Sequence, residues 1–138
     1  MNTTNTSALS AAPIDVARRL YDAVGRGDLA AAVPLLADDV VLHVPGTHAL
    51  SGDHHGLAAF ADFVAATTAG ADASEQIEVL DVLGGTDHAA VYCHVTATRP
   101  GRAPLDNMTV HLLRVRDGRV AEAWFHNRDD AAVSAFWS

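Results

Sequence analysis

The chain has 138 residues, 49% of them hydrophobic and 19% charged, a composition that builds one folded domain with a sizeable core. A formal charge of −8 excludes nucleic acid and anionic membrane as expected partners, since either needs a basic patch. The single cysteine, Cys93, excludes an internal disulfide, and no apolar run approaches the roughly 20 residues that span a bilayer, so a reducing, cytoplasmic location is expected.

Residues 1–12 lack both a basic start and an apolar core and read as a disordered tail, with a single domain over 13–138. Pro13 opens a helix whose apolar positions Ile14, Ala17, Tyr21 and Val24 recur at helical spacing, until Gly25 and Gly27 stop it. Asp28 caps a second helix carrying Leu29, Val33 and Leu36, shortened or bent by Pro34 and closed by Asp38 and Asp39. Val40 to Val44 is a strand ended by Pro45-Gly46. A Gly- and His-rich loop follows, then a third helix through Leu57, Phe60, Ala61 and Val64 that ends around Gly70. Gln76 to Leu83 is a strand with Ile77, Val79 and Asp81 on one side. In the next strand, Ala89 to Thr98, Val91, Cys93 and Val95 share one face and Tyr92, His94 and Thr96 the other. Arg99-Pro100-Gly101-Arg102 has the order of a type II turn.

Asn107 to Asn127 then forms a hairpin around Asp117-Gly118, with Thr109, His111, Leu113 and Val115 on one face and Met108, Val110, Leu112 and Arg114 on the other. Asp129 caps a short terminal helix whose apolar side is Val133, Phe136 and Trp137. Helices first and a strand meander last give an α+β class, a curved antiparallel sheet wrapped over three N-terminal helices.

The stretches RRLYDAVGRGDLAAAVPLLADDVVLHVPG, SGDHHGLAAFADFV and VHLLRVRDGRVAEAWFHNRDD, in this order and spacing, resemble the SnoaL-like (polyketide cyclase-like) proteins of the nuclear-transport-factor-2-like superfamily. The resemblance spans about residues 13–137. It implies a cone-shaped α+β barrel enclosing an apolar pocket, usually in a dimer, in a family that holds isomerases, cyclases and dehydratases beside non-catalytic binders. The family's catalytic residues do not carry over. The ketosteroid isomerase tyrosine, base and acid fall at Leu20, Val44 (beside His43) and His111. The polyketide cyclase acid falls at Phe125, and the epoxide hydrolase pair falls near Val91 and Cys93, or Tyr92 and His94 if the hairpin shifts by one.

Aligned in this way, the pocket is expected to be lined by Phe125, Leu113, Val95, Cys93 and Thr109 as substrate contacts, with Asp106 near its rim. His111 is the expected proton carrier, with His43 second and Asn127 orienting or stabilising an oxyanion. The competing reading makes His111 a core histidine satisfied by a neighbouring strand or a buried water. His43, His48, His54 and His55 follow an H-x4-H-x5-H-H spacing without the tight cysteine or carboxylate partners of a zinc site, so no metal and no cofactor are expected. The opposite sheet face, with Tyr92, His94, Val110, Leu112 and Trp124, is too apolar for open water and is the expected homodimer surface.

The expected function is SnoaL-like, cofactor-free acid/base chemistry (isomerisation, cyclisation or dehydration) on a small apolar molecule. The alternative is a non-catalytic ligand-binding or scaffold dimer. A cavity with His111 unpaired toward it favours the enzyme. A filled interior with His111 bonded to backbone favours the binder.

Overall fold

A computed structural model describes residues 10–68 and 74–138. The elements are α1 (Pro13–Gly25), α2 (Leu29–Ala32) continued by a 3-10 turn (Val33–Leu35), β1 (Leu36–Val44), β2 (Gly52–His55), α3 (Leu57–Thr68), β3 (Ser74–Gly84), β4 (His88–Thr98), β5 (Leu105–Arg116), β6 (Arg119–Asn127) and α4 (Asp130–Trp137). The architecture is the expected α+β class, a curved six-stranded sheet in the order β2-β1-β6-β5-β4-β3.

Pro13 occupies the first turn of α1, and Val16, Ala17, Leu20 and Ala23 turn one buried stripe toward the sheet. The Asp28 side chain accepts from the Ala31 N–H at 3.0 Å and caps α2. Pro34 then tightens the chain into the 3-10 turn. In β4 the alternation is complete, with Ala89, Val91, Cys93, Val95 and Ala97 buried between half-buried neighbours. Asp117 and Gly118 both adopt positive φ, 54° and 74°, as a type I′ hairpin turn requires. The Arg102 N–H closes the preceding turn onto the Arg99 carbonyl at 3.2 Å. The core centres on fully buried Leu36, Leu113, Val16, Val40, Val91 and Val120, each contributing roughly 1.5–3 kcal/mol by burial.

Several expectations are corrected. The sheet is mixed, because β1 runs parallel to β6 while the other neighbours are antiparallel. β1 starts at Leu36, so Asp38 and Asp39 do not close a helix; they are exposed where its register against β6 shifts. The loop after Pro45 contains β2, paired with β1 through His43↔Asp53 and Leu42↔His54. A register shift between Val79 and Asp81 bends β3 and separates Asp81 from the side it was expected to share with Ile77 and Val79, and Val79 is 41% exposed. Gly70, the expected end of α3, lies outside the described residues, as does most of the expected tail. Its last residues, Ser10 to Ala12, are exposed, and Arg19 donates to the Ser10 carbonyl at 2.6 Å. No helix among the described residues is long and apolar enough to cross a membrane.

Candidate functional site

The concave face of the sheet, covered by α1 and α3 and closed at one end by α4, holds a cavity of about 120 Å³. Its wall is mainly apolar, with Leu20, Leu42, Phe60, Ile77, Leu113 and Phe125 among its residues. β5 turns Asn107, Thr109, His111 and Leu113 into it by simple alternation, and β6 adds Phe125 and Asn127.

His111 is neither unpaired nor bonded to backbone. The Tyr21 hydroxyl, from α1, is hydrogen-bonded with its Nδ1 at 2.5 Å, and its ring lies against Phe125 with centroids 4.4 Å apart. Burial lowers the His111 pKa to about 4, helped by nearby His126, and burial raises Tyr21 well above the ordinary phenol range. Both groups are therefore neutral near pH 7, and the tautomer in which the phenol donates to Nδ1 carries the imidazole proton on Nε2. The hydroxyl that motif matching sought at Leu20 stands one residue later, and both Leu20 and Tyr21 line the cavity.

A carboxyl outside the expected site residues also lines this cavity. Glu75, second residue of β3, has its pKa raised to about 7 by burial, only partly offset by a hydrogen bond with the Thr67 side chain. Its charge acts on both Tyr21 and Cys93, raising each. The sequence carried a usable signal, because Ile77 faces inward and Glu75 stands two residues before it on the same strand face. The expected strand begins at Gln76 and leaves it out, whereas β3 begins at Ser74.

Other expected site residues lie elsewhere or have other partners. His43 does not reach the cavity. In β1 the inward positions are Val40, Leu42 and Val44, which turns His43 to the outer face. There it is held between Glu122, 2.6 Å from Nε2, and Asp53, 2.8 Å from Nδ1, and stacks on Trp124 at 5.3 Å. Burial alone would lower its pKa, but the two carboxylates together raise it. Cys93 is wholly buried in the core, its Sγ donating to the Val91 carbonyl at 3.7 Å, and burial pushes its thiol to about 12. Asp106 accepts from His94 on the outer face at 2.6 Å, away from the cavity. Thr109 donates to the His126 carbonyl at 3.3 Å, and Asn127 is engaged with both Asn107 and Asp130. Val95, Leu113, Thr109 and Phe125 do line the cavity. Among the described residues, no three His, Cys, Asp or Glu side chains are grouped to hold a metal ion.

A family model, the SnoaL-like domain, matches residues 17–123. The chain belongs to the SnoaL-like family. An uncharacterized protein of Mycobacterium tuberculosis is 34% identical to this SnoaL-like chain over 92% of its length and 97% of the relative's. Among solved structures, Bal32a from a soil-derived mobile gene cassette superposes with a TM-score of 0.85 at 26% identity, covering 94% of this chain and all of Bal32a. A provisionally named polyketide cyclase of Sinorhizobium meliloti superposes at 0.65 with 27% identity, covering 81% of this chain and 94% of that one. The fold is the cone-shaped α+β fold of nuclear-transport-factor-2-like proteins.

Proposed function

We propose that this SnoaL-like protein is a small-molecule enzyme performing cofactor-free acid/base chemistry, an isomerisation, cyclisation or dehydration, on an apolar compound held in the cavity. The carrying observation is an apolar chamber in which one half-buried carboxyl, Glu75, shares the wall with a neutral Tyr21–His111 pair. A carboxyl that titrates near neutrality exchanges a proton with a bound substrate in either direction. His111, its Nδ1 engaged by Tyr21, presents Nε2–H as a hydrogen-bond donor for an oxygen that gains negative charge. The proton-carrying role expected of His111 thus passes to Glu75, because an imidazole with a pKa of about 4 is a weak base. Val95, Leu113, Thr109 and Phe125 are proposed as substrate contacts. The polyketide cyclase name of one structural neighbour supports a cyclisation or enolisation.

The test is hydrogen–deuterium exchange at carbons beside the carbonyl in a panel of cyclic ketones and enones, followed by NMR. The wild-type protein should catalyse exchange on at least one compound. Glu75→Gln should lose about 100-fold or more of that rate, and His111→Ala should also lose it while remaining folded. Full activity in Glu75→Gln sinks the assignment. Tight binding of apolar compounds with no exchange on any of them favours a non-catalytic binder, a reading supported by the apolar wall.

The outer sheet face is proposed as the contact with a second copy. Tyr92, Val110, Leu112 and Trp124 are half-buried there, crossed by the His43–Glu122 and His94–Asp106 pairs.

A further inference from the structure

At the α4 end of the cavity two polar atoms are buried without a hydrogen-bond partner, Asn107 Oδ1 and His48 Nε2. Both residues line the cavity, and Asn107 is only 5% exposed. Buried polar atoms are normally satisfied, so a complementary pair of orphans in a cavity wall points to a ligand group.

The chemical sense of each atom follows from its neighbours. The Asp130 carboxylate on α4 accepts a hydrogen bond at 3.0 Å from Asn127, so the Asn127 atom facing it is the Nδ2 amide nitrogen. The Asn127 Oδ1 then accepts from Asn107 Nδ2, also at 3.0 Å. That leaves Asn107 Oδ1, an acceptor, free. For His48, the Leu50 N–H donates to Nδ1 at 3.1 Å, so Nδ1 carries no proton, and burial lowers the pKa of the ring. The ring proton is then on Nε2, a free donor. The Pro45 carbonyl lies nearby without closing a hydrogen bond to that atom.

The same end of the molecule carries both. The amide chain ends on Asp130, whose charge acts on His48, and the Thr47 N–H beside His48 donates to Ser134 of α4 at 3.0 Å. Around them the wall is apolar, formed by Leu50, Leu105, Val133 and Trp137.

We infer that His48 and Asn107 form a subsite for a hydroxyl group of the ligand, His48 Nε2–H donating to the hydroxyl oxygen and Asn107 Oδ1 accepting a hydrogen bond from the hydroxyl. One donor and one acceptor match an alcohol or phenol. A methyl or a methoxy group leaves at least the Asn107 acceptor unsatisfied. This deepens the proposed function by naming the substrate class, an apolar compound bearing a hydroxyl. It rests on the cavity being a ligand site and not on the acid/base step.

The experiment titrates the full chain with 2-naphthol, 2-methoxynaphthalene and 2-methylnaphthalene, followed by calorimetry. Wild-type protein should bind 2-naphthol about tenfold or more tighter than either analogue. In Asn107→Leu and in His48→Phe, each verified as folded by circular dichroism, that preference should fall to about twofold or less. Equal affinity for all three compounds in the wild type overturns the subsite and leaves the apolar cavity reading standing. So does a preference that survives in both variants. A crystal structure in which 2-naphthol leaves an ordered water between His48 and Asn107 undisplaced makes the pair a water site only and also overturns it. Failure of all three compounds to bind overturns the subsite together with the cavity reading.

Discussion

Glu75 and His111 set opposing pH dependences within one cavity. Glu75 keeps its proton in the native state up to about 7, whereas the unfolded chain releases it near 4.5, so stability falls as pH rises through that window. His111 gains a proton near 6.5 when unfolded but only at about 4 when native, so stability rises with pH between those values. The two slopes cancel where the windows overlap. Glu75→Gln should therefore unmask a rise in stability from pH 4 to 6.5, and His111→Gln a fall from 4.5 to 7. Each change amounts to on the order of 3 kcal/mol across its window. Urea unfolding at half-unit pH steps, read as differences from wild type, checks both; unchanged slopes in the variants contradict the buried placement. The Tyr21 hydroxyl belongs to the same arrangement. Tyr21→Phe leaves His111 Nδ1 unpaired and should cost about 1–3 kcal/mol in chemical unfolding, since a buried acceptor then loses its partner.

Among the elements, the β5–β6 hairpin shows how far local pattern reaches. Asp117-Gly118 fixed the turn, alternation fixed the faces, and the cavity face of β5 is the one the residues indicated. β2 has no strand pattern in the sequence because Gly52-Asp53-His54-His55 has no apolar residue; it is a strand through its pairing with β1. Motif position makes His43 a candidate for the pocket, whereas the alternation of Val40, Leu42 and Val44 turns it outward. The loop between β1 and β2 carries its own test. A Cβ at Gly46, whose φ is 94°, would lie 2.5 Å from the Ser134 Oγ that accepts from the Thr47 N–H. Gly46→Ala should therefore destabilise by about 1–3 kcal/mol. Gly25→Ala, where a Cβ meets nothing within 4 Å, should stay near wild type, within about 1 kcal/mol in either direction. Thermal unfolding of the pair measures the contrast.

For the whole molecule, the outer sheet face is expected to join two copies. Light scattering should give a dimer mass, and Trp124→Asp combined with Leu112→Asp should give a monomer; a monomeric wild-type protein removes the proposal. This face should also respond to pH. His43 and His94 both have raised pKa values, His43 against Glu122 and Asp53 despite its burial, and His94 chiefly through its hydrogen bond to Asp106. Their pairs stabilise the folded chain below the ordinary imidazole range and weaken as pH rises through the raised values, so their contribution to folding stability should decline across that interval.

By itself the sequence determined the α+β class, the order of most elements, the hairpin and the two-faced character of β4 and β5. Periodicity and turn chemistry act between near neighbours and are written in the residues. Tertiary structure alone decided that Tyr21 meets His111 across 90 positions, that Glu75 is desolvated, and that Asn107, Asn127 and Asp130 form a directed chain into α4. These depend on how α1 and α4 seat on the curved sheet and on which groups that packing removes from water. Neither quantity exists for a residue until the rest of the chain has closed around it.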